Sequence, residues 1–122
     1  MPAVTTKIIE LENIRFALEL LKPVVTHTPL MPNSNASEKF GANILLKRED
    51  LQVVRSYKIR GAYNKISGLS SLELKNGIVC ASAGNHAQGV AYSCNKLHVK
   101  GMIYMPSTTP KQKVDQVKMF RK

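Results

Sequence analysis

The order of periodic segments along the chain predicts an α/β fold in which a parallel sheet is flanked by helices as three αβα layers. Three observations carry this expectation. Short apolar runs of strand length alternate with segments whose apolar residues recur at helical spacing. From Asn43 onward the alternation reads strand, helix, strand, helix, strand, helix. Two successive helical segments also share one spacing, with Ile59, Ala62, Tyr63, Ile66 and Leu69 in the first and Ala87, Val90, Ala91, Cys94 and Leu97 in the second.

The elements follow in order. Leu11, Ile14, Leu18 and Leu21 lie on one face of a helix expected from Glu10 to Lys22, which Pro23 ends. Thr28-Pro29-Leu30 and Pro32 read as a loop. A short helix from Ser34 to Phe40 is stopped by Gly41. Asn43 to Lys47 is a strand, and Ser56 is the expected N-cap of the next helix. Ile78 to Ala81 reads as a buried strand and Met102 to Met105 as another short one. Pro110 is expected at the first position of the last helix, where its missing N–H costs nothing. That pattern still runs at Phe120-Arg121-Lys122, without a glycine cap or a following strand, so the expectation is a truncated form of the fold.

A chain of 122 residues suits one compact domain, and a hydrophobic content of 43% is ordinary for a folded protein. The longest mainly apolar run, Gly77 to Ala81, is too short to span a bilayer. The start, Met-Pro-Ala-Val-Thr-Thr-Lys, has no apolar stretch with a cleavage site, so a cytoplasmic protein is expected. Cys80 and Cys94 fit no metal spacing and read as small buried hydrophobes, so no metal site is expected. The net charge of +10 raises nucleic acid as a partner, but the cations are spread from Lys7 to Lys122. Only Lys111, Lys113, Lys118, Arg121 and Lys122 approach a patch, and aromatic residues are too few among them for a stacking platform. Neither nucleic acid nor membrane is an expected partner; a basic balance also suits an anionic ligand.

Two constellations carry chemistry. In the first, Lys47-Arg48-Glu49-Asp50-Leu51 precedes Arg55-Ser56-Tyr57-Lys58-Ile59-Arg60-Gly61-Ala62. A lysine at a helix start meets the positive end of the dipole, and Arg55 and Arg60 add like charge, all of which favour the neutral amine that imine chemistry needs. On these grounds alone a solvated lysine is the simpler reading. In the second, Ala81-Ser82-Ala83-Gly84-Asn85-His86-Ala87-Gln88-Gly89 joins an apolar strand to a helix. Small residues here leave backbone N–H groups open to a carboxylate or phosphate at the helix N-terminus, in the place where parallel sheets bind ligands. An ordinary turn with Asn85 as cap explains the same residues equally well, and His86 alone would more often be structural.

Taken together, the two segments resemble known motifs. Ser56-Tyr57-Lys58-Ile59-Arg60-Gly61-Ala62 resembles the cofactor-lysine motif of the serine/threonine dehydratase family, in the tryptophan-synthase-β-like class of pyridoxal phosphate enzymes. Ser82 to Gly89 resembles that family's substrate loop. Thr28-Pro29-Leu30, Lys47-Arg48-Glu49-Asp50, and Met105-Pro106 with Thr109-Pro110 fall in the family's order, so the resemblance covers nearly the whole chain. Tyr57 stands where the family usually has Phe, and Leu51 to Ser56 looks most like the biosynthetic threonine dehydratase branch.

The resemblance implies pyridoxal phosphate as cofactor, held by Lys58, which would also carry the substrate's α-proton. It implies that Asn85 hydrogen-bonds the cofactor's ring hydroxyl and that Tyr57 packs near the ring. Ser82, Gly84, Asn85 and His86 would bind the carboxylate of an amino acid substrate. The implied reaction is deamination of L-threonine to 2-oxobutanoate and ammonia, the first step of isoleucine biosynthesis. Residues 1–50 would belong to the family's larger domain and 51–122 to its smaller one. The family's glycine-rich phosphate cradle has no counterpart, since the glycines at 41, 61, 68, 77, 84, 89 and 101 are all more than three residues apart. Activity of the chain alone is therefore not expected. A complementing chain would complete it, a homo-oligomer is the other expected assembly, and a non-catalytic remnant that binds a small molecule or a partner is the alternative. Helix faces left wet at ~25 cal/mol per Å² would forfeit several kcal/mol of a domain's ~5–15, so a weakly stable or aggregation-prone chain is expected.

Overall fold

A computed structural model describes residues 8–120 of the chain. The opening Met1–Lys7, read above for a leader, and the tail cations Arg121 and Lys122 lie outside the described residues.

The first helix, α1 (Leu11–Leu21), covers the expected span. The Glu10 N–H donates to Asn13 Oδ1 at its start (3.1 Å). Of its apolar stripe only Leu21 is buried, while Leu11, Ile14 and Leu18 are exposed. The short strand β1 (Leu30–Pro32) falls where a loop was expected. Three residues show no period, and Pro32 has no N–H to donate, so the segment is a strand because its neighbour pairs with it. Helix α2 (Ser34–Phe40) has the expected bounds. Asn33 Oδ1 accepts from the Ala36 N–H (2.8 Å), and Gly41 closes the helix in the left-handed conformation at φ 59°.

Strand β2 (Leu45–Lys47) was expected in the parallel sheet but pairs antiparallel with β1, Leu30 opposite Lys47 and Pro32 opposite Leu45. A single 3₁₀ turn at Glu49–Leu51 follows. Helix α3 (Lys58–Ser67) begins with Lys58, so Tyr57 and not Ser56 is the capping residue. Ser56 is buried, and its Oγ still accepts from the Lys58 N–H at 3.4 Å. The next helix, α4 (Ser71–Lys75), is not among the expected elements, although Ser70 and Glu73 form the capping box that announces it.

Strands β3 (Ile78–Ala81) and β4 (Gly101–Tyr104) are parallel, joined through α5 (Asn85–Lys96). One face of this pair meets the helices: Ala62, Ile66, Val90 and Cys94 form the core, with Leu74, Ile78, Cys80 and Leu97 against it. Strand β3 is therefore not buried on both faces, because Val79 points away from the helices and is 68% exposed. Cys80 and Cys94 are free thiols, and burial pushes the pKa of both up, as suits small hydrophobes. The last helix, α6 (Lys111–Lys118), starts one residue after the expected position, with Pro110 as its cap, and ends before Phe120. The fold is α/β with a parallel sheet and flanking helices, as the sequence predicts.

Candidate functional site

The site forms where α3 and α5 begin. A cleft of about 390 Å³ opens there, with Tyr57, Lys58 and His86 on its wall and the core residues Ala62, Ile66 and Val90 below. The Lys58 Nζ stands 4.9 Å from the centre of the Tyr57 ring. Of the residues singled out from the sequence, Lys58, Tyr57 and His86 are thus brought together. Ser82, Gly84 and Asn85 sit on the adjoining β3–α5 loop and do not line this cleft.

That loop is built by its own small residues. The Ser82 N–H donates to the Tyr104 carbonyl (3.0 Å), which anchors the loop to the end of β4. Ser82 Oγ accepts from the Gly84 N–H (3.2 Å). Gly84 is the capping residue of α5, so Asn85 is not. The Asn85 side chain makes no hydrogen bond among the described residues, and it and His86 are exposed. The first N–H groups of α5 have no partner within the helix, which leaves donors for an anion.

The electrostatics differ from expectation in one respect. Arg60 does not press on Lys58 as a free charge, because its Nε and Nη2 donate to Glu49 Oε2 and Oε1 at 2.7 and 2.8 Å. Glu49 also accepts from the Thr28 hydroxyl (2.6 Å) and from Gln52 Nε2 (3.3 Å). The Arg60 hydrogen bonds, helped by Thr28 and Gln52, hold the Glu49 carboxyl at a pKa of about 2 against its burial. Buried Gln52 in turn accepts from the Thr26 N–H (2.9 Å) and donates to the Thr26 carbonyl (2.8 Å). The first turn of α3 is thereby fastened to the chain before β1.

Lys65 was not anticipated on the cleft wall. Helical spacing was the available signal, since Lys58, Ala62 and Lys65 follow one another down a single face of α3. Glu49, quoted above only as part of a motif, was not read as a partner of Arg60, for which helical periodicity offers no sign.

The residues of the cleft suit a flat aromatic aldehyde: an amine beside an aromatic ring, above an apolar floor, with no carboxylate on the wall. Comparison with known proteins gives the same direction. Residues 21–122 match the family model described as pyridoxal-phosphate dependent enzyme. The chain is 61% identical over 114 residues to the biosynthetic L-threonine dehydratase of Halalkalibacterium halodurans, covering 93% of this chain and 28% of that protein. Among solved structures it resembles the processed threonine deaminase isoform 2 of Solanum lycopersicum, with a TM-score of 0.75 and 36% identity, over 98% of this chain and 38% of that one. It also resembles maize serine racemase, with a TM-score of 0.84 and 32% identity, over 92% of this chain and 34% of that one. The chain spans little more than a quarter of the length of the curated relative it matches. With residues 21–122 of its 122 matched by that family model, the chain belongs to the family of pyridoxal-phosphate dependent enzymes.

Proposed function

We propose that this chain supplies the lysine helix and the substrate loop of a threonine ammonia-lyase, converting L-threonine to 2-oxobutanoate and ammonia. The observation that carries the reading is the cleft where Lys58, at the head of α3, faces His86, at the head of α5. Identity to a biosynthetic threonine dehydratase supports the substrate.

Pyridoxal phosphate, when bound, supplies the electron sink for bond breaking at the substrate Cα. The Lys58 ε-amine holds the cofactor and, once released, takes the Cα proton. The Tyr57 ring would pack beside the cofactor, and the Asn85 amide would donate to its ring hydroxyl. The α5 N-terminus, with Ser82, Gly84, Asn85 and His86, binds the substrate carboxylate and so fixes which Cα bond faces Lys58. Threonine loses its α-proton and its β-hydroxyl as water. The resulting enamine takes up water and splits into 2-oxobutanoate and ammonia.

In this reading residues 1–50 serve the larger domain and residues 51–122 the smaller, which fits two separate strand pairs, one on each side of Asp50. The phosphate cradle comes from a complementing chain, since copies of a chain without one cannot supply it, and the assembly works in the cytoplasm. A second reading, a carboxylate-binding module without covalent chemistry, is favoured by the wide spacing of all seven glycines.

The test is to add pyridoxal phosphate to the chain and to Lys58→Ala, reduce with borohydride, and map the modified peptide by mass. A visible absorption band and an adduct on Lys58, both lost in the variant, support the lyase reading. Formation of 2-oxobutanoate is then assayed after adding the remainder of a dehydratase. Threonine binding with equal, non-covalent cofactor uptake by both proteins would favour the second reading.

A further inference from the structure

Gly89 lies in the second turn of α5, buried where that helix crosses α3. A Cβ placed on it would stand 3.0 Å from the Lys58 carbonyl oxygen, 3.1 Å from the Lys58 carbonyl carbon and 3.3 Å from the Ile59 nitrogen. All three are backbone atoms, so no side chain can swing aside to make room. Ile59 is fully buried, which keeps the first turn of α3 from retreating freely. The buried Ser93 hydroxyl donates to the Gly89 carbonyl one turn back along the same helix (2.7 Å).

We infer that Gly89 is a positioning residue for Lys58: its missing side chain sets how closely the lysine's backbone approaches the helix that carries the β3–α5 loop. The inference rests on the proposed role of Lys58. His86 lies three residues before Gly89, one turn up the same helix, and lines the cleft with Lys58. Any substituent at 89 therefore moves the amine relative to the donors at the head of α5, while the core around Ile66 and Cys94 lies further along both helices.

The test compares the wild-type chain with Gly89→Ala and with Val117→Ala, which trims a buried contact on α6 away from the cleft. Thermal unfolding, backbone amide resonances and the rate of pyridoxal phosphate attachment to Lys58 are measured for each. Expected for Gly89→Ala are displaced resonances centred on Lys58 and Ile59, attachment slowed about tenfold or more, and a shifted visible band. Val117→Ala should lose stability and keep its attachment rate and band. Wild-type attachment by Gly89→Ala, or equal slowing in both variants, overturns the inference. Should Gly89→Ala fail to fold, Gly89→Ala combined with Ile59→Val, which gives the first turn of α3 room to retreat, reads the same contact against Ile59→Val alone: slower attachment in the double variant supports the inference and an equal rate overturns it. If the wild-type chain takes up no cofactor, the proposed function fails separately. The resonances of Lys58 and Ile59 in the variants then decide, displacement supporting the inference and unchanged positions overturning it.

Discussion

Glu49 and Arg60 are joined by two parallel hydrogen bonds of 2.7 and 2.8 Å, eleven residues apart, across the start of the helix that carries Lys58. The pair is mostly shielded, with 14% of the Glu49 side chain and 30% of the Arg60 side chain exposed. Its consequence is a pH dependence of stability. The Glu49 pKa falls from 4.5 to about 2 on folding, so the pair's contribution is complete above pH 4.5 and lost as pH falls through about 2. Partial exposure reduces its size to about 1–3 kcal/mol. Urea midpoints measured from neutral pH downward should drop in this window for the wild type and follow a flatter curve for Glu49→Gln. Parallel curves would remove Glu49 from the account.

Tyr57 offers its ring to Lys58 at 4.9 Å, and its exposed hydroxyl makes no hydrogen bond among the described residues. The ring and not the hydroxyl should matter. Tyr57→Phe is expected to attach pyridoxal phosphate within about twofold of the wild-type rate, and Tyr57→Ala several-fold more slowly. Fluorescence or absorbance stopped-flow traces decide between them, and an impaired Phe variant would shift the role to the hydroxyl.

Gly77 precedes β3 at φ 81°, and a Cβ there would meet the Lys100 carbonyl at 2.8 Å, the same oxygen that accepts from the Ile78 N–H. Gly77→Ala combines a left-handed alanine with a backbone clash at the first rung of the parallel pair. A loss of about 1–3 kcal/mol is expected, read as a lower unfolding midpoint. An unchanged midpoint would mean that the turn relaxes without cost.

Val79, Met102 and Tyr104 lie on the sheet face opposite the helices, with Val79 beside Met102 in register and 68%, 46% and 59% exposed. A contiguous apolar face of this kind favours self-association. Light scattering at rising concentration should show association of the wild type and less of it for Val79→Lys. Tyr104→Lys should behave alike. A wild-type chain that stays monomeric at every concentration, with high cooperative stability, contradicts the expectation.

Much of the fold is legible because its signals are local. Helix α1 follows from four apolar residues at helical spacing, and α2 from its span and the Gly41 stop. Ser56 and Pro110 were each misplaced by one position, since caps differ from first-turn residues only in backbone angles. The loop and the lysine are legible from residue types and order, yet the meeting of Lys58 and His86 in one cleft depends on how α3 crosses α5.

The sequence by itself determined most of the α/β order of elements, because periodicity and capping act over a few neighbouring residues, while resemblance to known motifs pointed to the family and to the candidate residues Lys58 and Asn85. Tertiary structure alone decided that β2 pairs with β1 and not with β3, and that Val79 faces outward. It also decided that Arg60 is bound to Glu49 and that Gly89 rests on the backbone of Lys58. Each of these joins residues far apart in the chain. Such contacts are fixed by shape and partner geometry in three dimensions, which no local pattern encodes.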